Sequence, residues 1–152
     1  MRRERIKTEV YLLKKRFTRV EFDLDEYLWV CTYDFDLPRG CNKTKSCLLI
    51  ELDGSYPFTP PKNCYLDRNI RTSSGETLDH YFPGSSENKF FAKGWAWLSL
   101  HLDSWKPAVN IIQGDNLLRF CDLVYLAIAD LVKKKEGGEV IGIRSRIRGK
   151  HV

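Results

Sequence analysis

Ile6, Val10, Leu13 and Phe17 are spaced four, three and four apart, while Arg5, Lys7, Lys14 and Lys15 fall between them. Side chains recurring near every 3.6 positions share one face of a helix, so this spacing predicts an amphipathic helix over 3–17. The period then changes. In "TRVEFDLDE", Val20, Phe22 and Leu24 alternate with charged residues, the mark of a strand with one wet face. A second strand is expected at "YLWVCTYDF" and a third at "CLLIELDG", which closes on Asp53-Gly54 near Leu52.

"YPFTPPKNCYLD" carries prolines at 57, 60 and 61. Proline lacks the N–H that a central strand donates, so a rigid extended loop is expected there, leading to a short fourth strand at Cys64 to Leu66. From "RNIRTSSGETLDHYFPGSSENKFFAKG" neither period is sustained, and long loops in compact domains are often functional. Leu117, Cys121, Val124, Ile128 and Leu131 then recur at helical spacing, with Asp115 or Asn116 as N-cap and Gly137-Gly138 as the stop. A helix, an antiparallel four-stranded meander, a long loop and a C-terminal helix make an α+β fold in one domain, without internal repeats.

Composition agrees with a folded domain: the 152 residues are 43% hydrophobic and 30% charged, long enough to bury a core without covalent staples. The N-terminus "MRRERIKTEV" has no apolar stretch that would serve as a signal peptide, and no run reaches the length of a membrane span, so a cytoplasmic protein is expected. Cys31, Cys41, Cys47, Cys64 and Cys121 show no C-x-x-C pair, which argues against a zinc ribbon and a disulfide framework and for buried free thiols. No cofactor and no metal are expected. Residues 133–152 hold seven Lys or Arg against two Glu, which accounts for the whole formal net charge of +5. Only this tail is basic, and it lacks the interleaved aromatics of a nucleic-acid surface, so a solvated extension is the expectation.

Two motifs carry a resemblance. "SYPFTPPK", residues 55–62, and "LSLHLDSWKPA", residues 98–108, resemble in order and spacing the ubiquitin-conjugating enzyme family, whose members close their meander with Tyr-Pro-x-x-Pro-Pro and follow their nucleophile with Trp-x-Pro. Tyr56, Pro57, Pro60, Pro61, Trp105 and Pro107 match. The resemblance covers roughly residues 1–135, leaving 136–152 as a basic C-terminal tail. The stretch from Ser99 to Trp105 is two residues shorter than in typical eukaryotic members, and His101 stands where those have Asp; both look more like the bacterial branch. Some bacterial relatives sit beside a cyclic-nucleotide synthase (CD-NTase) in CBASS antiphage operons and others serve ubiquitin-like proteins. The likeness therefore implies as partners a protein C-terminus as acyl donor, from a ubiquitin-like protein or the synthase, and an activating enzyme; neither membrane nor nucleic acid is implied.

The family's reaction takes a C-terminal carbonyl onto a cysteine as a thioester and passes it to an amine. The cysteine's place falls on Ser99. A thiolate is a strong nucleophile and a good leaving group; a serine hydroxyl needs a dedicated base. Three readings of Ser99 stand: a cysteine replaced to trap an oxyester, a natural non-catalytic member, or a hydroxyl that itself serves. His101, two residues on, would share a face with Ser99 if the segment is extended, as a proton acceptor or an orienting group, or else be a surface histidine beside Asp103. Most members carry a His-Pro-Asn triplet before the cysteine. It is not present here, and His80, Pro83 and Asn88 do not map onto it one by one, so His80 and Asn88 are possible supports. Asp103 and Ser104 are placed to border the site, where a carboxylate would tune an incoming amine. Trp95 and Trp97, alternating with Ser99, are expected in the core, and Trp105 and Pro107 are expected as an aromatic anchor and a helix-start proline. The acyl-carrier reading requires position 99 to be reachable from a groove that admits an extended peptide.

Overall fold

The structure, a computed structural model, describes residues 1–83 and 94–137. Helix α1 spans Arg2–Lys14 and buries Ile6, Val10 and Leu13, as the spacing predicts. It ends three residues earlier than the apolar stripe. Phe17 still reaches the core, because its N–H bonds back to the Leu13 carbonyl at 2.8 Å and its ring lies 6.3 Å from Phe35.

Strands β1 (Val20–Phe22), β2 (Trp29–Asp36), β3 (Lys45–Glu51) and β4 (Asn63–Asp67) pair antiparallel in sequence. The first strand stops before Leu24, which is 71% exposed, contrary to the alternation. Asp23 is the reason: its carboxylate accepts the N–H groups of Asp25, Glu26 and Leu28, so the chain turns on a side chain where the ladder would have continued. Among the described residues the sheet has six strands, not four, in the order β1-β2-β3-β4-β6-β5. β5 (Tyr81–Phe82) falls within the segment expected to be irregular, and β6 (Trp95–Leu98) follows it, where Trp95 and Trp97 alternate. A two-residue strand is too short to show a period.

Helix α2 runs Leu117–Lys135, capped by the Asn116 side chain, which accepts the Arg119 N–H at 2.8 Å. Both helices cover one face of the sheet and share the main core, with Val30, Leu48, Ile50, Leu66 and Leu98 facing Leu117, Val124 and Ile128. The other face carries a smaller cluster: Cys31, Leu49 and Tyr65 are buried there under the half-buried Trp29, Tyr33, Trp95 and Trp97. Trp95 and Trp97 therefore pack, but on the outer sheet face and not in the main core. Cys31, Cys64 and Cys121 are buried free thiols, whereas Cys41 and Cys47 are only half-buried.

Candidate functional site

The two motifs meet. Tyr56 is fully buried, and its hydroxyl donates to Glu9 Oε1 on α1 at 2.6 Å. Its ring lies 6.0 Å from that of Trp105, whose indole N–H donates to the Pro57 carbonyl at 2.8 Å. A buried tyrosine needs a partner for its hydroxyl and a proline carbonyl has no ladder to join, so each motif satisfies a group the other fold elements leave open. Next to this junction is a cleft of about 260 Å³. Thr59, Pro60, Pro61 and Lys62 form one wall and Leu98, Leu100, His101 and Leu102 the other.

Ser99 follows directly on β6 and is 4% exposed. Its N–H donates to the His80 carbonyl at 2.7 Å, continuing the register in which Tyr81 faces Leu98 and Phe82 faces Trp97. Ser99 is not among the residues that line the cleft, although its neighbours Leu98 and Leu100 are. The condition for His101 to share its face is not met: β6 ends at Leu98, and by His101 the side chain is exposed and turned into the cleft. The structure thus puts the His80 backbone beside Ser99 and sets His101 along the cleft. Position 99 is buried and does not line the cleft, so the requirement that it be reachable from a groove is not met in this structure.

His80 has a left-handed backbone, φ 60°, a conformation uncommon outside glycine, and burial pushes its imidazole pKa down. Asp103 and Ser104 are exposed past the cleft. Asn88 lies outside the described residues, as does His151. None of the cysteines is an activated substitute nucleophile: burial raises the thiols of Cys31 and Cys121 to about 12 and also raises Cys64, Cys41 and Cys47. Among the described residues no group of three or more His, Cys, Asp or Glu is placed to hold a metal ion, and no helix is long and apolar enough to cross a membrane.

Pro107 does not start a helix. It lies in the extended run before a single 3₁₀ turn at Ile111–Gln113, and α2 begins only at Leu117. Gly114 closes this run so tightly that a Cβ there would stand 2.5 Å from the Ala108 nitrogen and 2.7 Å from the Lys106 carbonyl oxygen. The run contributes to a feature that the sequence reading missed. Phe58 and Val109, 85% and 103% exposed, stand with Met1, Pro107 and Ala108 around an apolar cleft of about 350 Å³, floored by Arg2 and Arg5. Exposed large apolar groups gathered in one patch mark an interaction surface, and an "F-T-P-P" turn beside "K-P-A-V" was its only signal in the chain.

Comparison with protein families matches residues 7–127 to the family described as Prokaryotic E2 family E. No curated protein and no solved structure matches the chain.

Proposed function

The chain belongs to prokaryotic E2 family E, a bacterial family of the ubiquitin-conjugating type, and from that membership we propose that position 99 is where it carries a polypeptide's C-terminal carbonyl. One observation supports the reading above others: both motif segments, through Thr59–Lys62 on one side and Leu98, Leu100, His101 and Leu102 on the other, wall a single cleft, with Ser99 buried next to it. In the transfer, the nucleophile at position 99 attacks an activated C-terminal carbonyl and expels its leaving group. An amine then attacks the ester carbonyl, loses a proton and leaves with the acyl group as an amide, which regenerates the free nucleophile. Sulfur performs both steps well; the Ser99 hydroxyl forms an oxyester that turns over slowly.

His101, lining the cleft, receives the incoming amine there, and His80, largely neutral at pH 7, is the nearer histidine by backbone pairing to position 99. Asp103 and Asn88 are the further residues proposed to support the transfer. Because Ser99 is 4% exposed, loading requires the Leu100–Trp105 stretch to swing out. The patch around Phe58 and Val109 receives the activating protein. In its cell the domain at 1–135 works in the cytoplasm on a ubiquitin-like protein or, in an antiphage operon, a cyclic-nucleotide synthase, and 136–152 is an appended basic tail.

The test is Ser99→Cys incubated with the purified ubiquitin-like or synthase neighbour and its activating protein. A reductant-sensitive adduct that needs the new thiol is the expected result. No adduct with any operon neighbour overturns the reading.

A second reading has its own observation. A buried serine whose backbone N–H is tied to the His80 carbonyl also suits a protein that keeps the fold and has lost the transfer. Such a module holds its partner by the Phe58–Val109 patch alone, and it predicts that the Ser99→Cys protein binds the partner without ever linking to it.

A further inference from the structure

Glu9 is a buried carboxylate that the chemistry at position 99 does not use. Its side chain is 1% exposed, yet both oxygens are engaged. Oε1 accepts the Tyr56 hydroxyl at 2.6 Å and the N–H of Leu117, the first residue of α2, also at 2.6 Å; Oε2 accepts Arg5 Nε at 2.9 Å. An ionised group persists at such depth only when its lone pairs are taken, and here the donors come from three separate parts of the chain. A negative charge at the N-terminus of α2 is also favoured by the helix dipole.

Arg5 carries this anchor outward. Its Nη1 donates to the Ala108 carbonyl at 2.5 Å and its Nη2 to the Asp115 carbonyl at 3.2 Å. These carbonyls belong to the run that begins at position 99, and Lys106 and Asp115 close the same run on itself through Lys106 N–H to Asp115 Oδ2 at 2.6 Å and Asp115 N–H to the Lys106 carbonyl at 2.9 Å. Upstream, the run is pinned by the Ser99–His80 backbone bond; downstream, by Trp105 on Pro57 and by Arg5. Arg5 is also part of the floor of the apolar patch.

We propose that Glu9 is a positioning residue: through Arg5 it holds the downstream end of this run, and so sets how readily position 99 opens. The proposal rests on position 99 being the acyl site, but its test needs no partner.

In the full Ser99→Cys chain, the thiol at position 99 is alkylated with iodoacetamide and read by mass spectrometry, with Cys64 and Cys121 as internal controls. Glu9→Gln keeps the side-chain shape but gives up the charge that holds Arg5. Arg5→Lys keeps the charge but cannot reach both carbonyls, and its site is partly exposed, so this variant folds even if the other does not. In either variant alkylation at position 99 rises about tenfold while Cys64 and Cys121 stay protected. The proposal is overturned if the rate at position 99 is unchanged, or if Cys64 and Cys121 become reactive in step with it, which is what a general loosening would give. Failure to form an adduct with an operon neighbour leaves this outcome untouched, so the two readings fail separately.

Discussion

The indole N–H of Trp105 donates to the carbonyl of Pro57 at 2.8 Å, across 48 positions of sequence. That bond joins the end of one motif to the start of the other and fixes both walls of the cleft beside position 99. Trp105→Phe keeps most of the ring against Tyr56 and deletes the donor, leaving a part-buried carbonyl unmatched. Urea denaturation should show a loss of about 1 kcal/mol, and Trp105→Ala a larger loss, of about 2–4 kcal/mol.

Gly114 tests the other end of the run. Its φ is −135°, extended backbone open to any residue, so the requirement for glycine is one of contact and not of backbone conformation. A methyl group would meet backbone atoms of Ala108 and Lys106 that cannot rotate away. Gly114→Ala should lower stability by about 1–3 kcal/mol, with hydrogen exchange accelerated first in residues 104–115.

The buried thiols set the alkaline limit. Burial raises Cys31 and Cys121 to about 12 from the ordinary 9.0 and holds Cys64 up as well. A group whose folded pKa lies above its unfolded value adds stability that is complete below the unfolded pKa and is lost as pH rises toward the folded one. Melting temperature should therefore be steady on the neutral side of 9 and decline from 9 toward 12. Cys121→Ala shallows that decline. At pH 8 a disulfide reagent should reach the half-buried Cys41 and Cys47 before the other three.

His80 gives a second titration, opposite in direction. Burial lowers its pKa, so its ring C–H resonance should titrate with a midpoint below the ordinary 6.5. The stability tied to its neutral form is present above 6.5 and fades as pH falls through the folded value. A midpoint at or above 6.5 contradicts the placement of this imidazole.

Phe58→Ala removes the most prominent group of the apolar patch without touching the core, since Phe58 is 85% exposed. Stability should stay within about 0.5 kcal/mol, while acyl loading of the Ser99→Cys protein by its activating partner falls about tenfold or more. Unchanged loading would remove the patch from the docking reading.

Both helices and the first four strands were legible because their periods run long enough to repeat: Ile6, Val10 and Leu13, or Leu117 through Leu131, leave little choice of face. Leu24 was misread because a single carboxylate immediately after the strand's end, Asp23, offered the backbone a better set of bonds than the ladder did. β5 was missed because two residues hold no pattern. At the candidate site, the motifs told where the chain's business lies, yet the same-face argument for Ser99 and His101 assumed a strand through 101, whereas β6 ends at Leu98, before either residue. The patch around Phe58 and Val109 was invisible for a different reason: its members are far apart in sequence, and apolar residues in turns read as turn chemistry until the fold gathers them.

The uneven cover of the sheet has a practical side. Three of the four tryptophans, Trp29, Trp95 and Trp97, sit on the face opposite α1 and α2, and the fourth, Trp105, joins the two motifs. Intrinsic emission therefore watches the outer face of the sheet through three indoles, and the junction of the two motifs at the edge of the helix-packed core through the fourth.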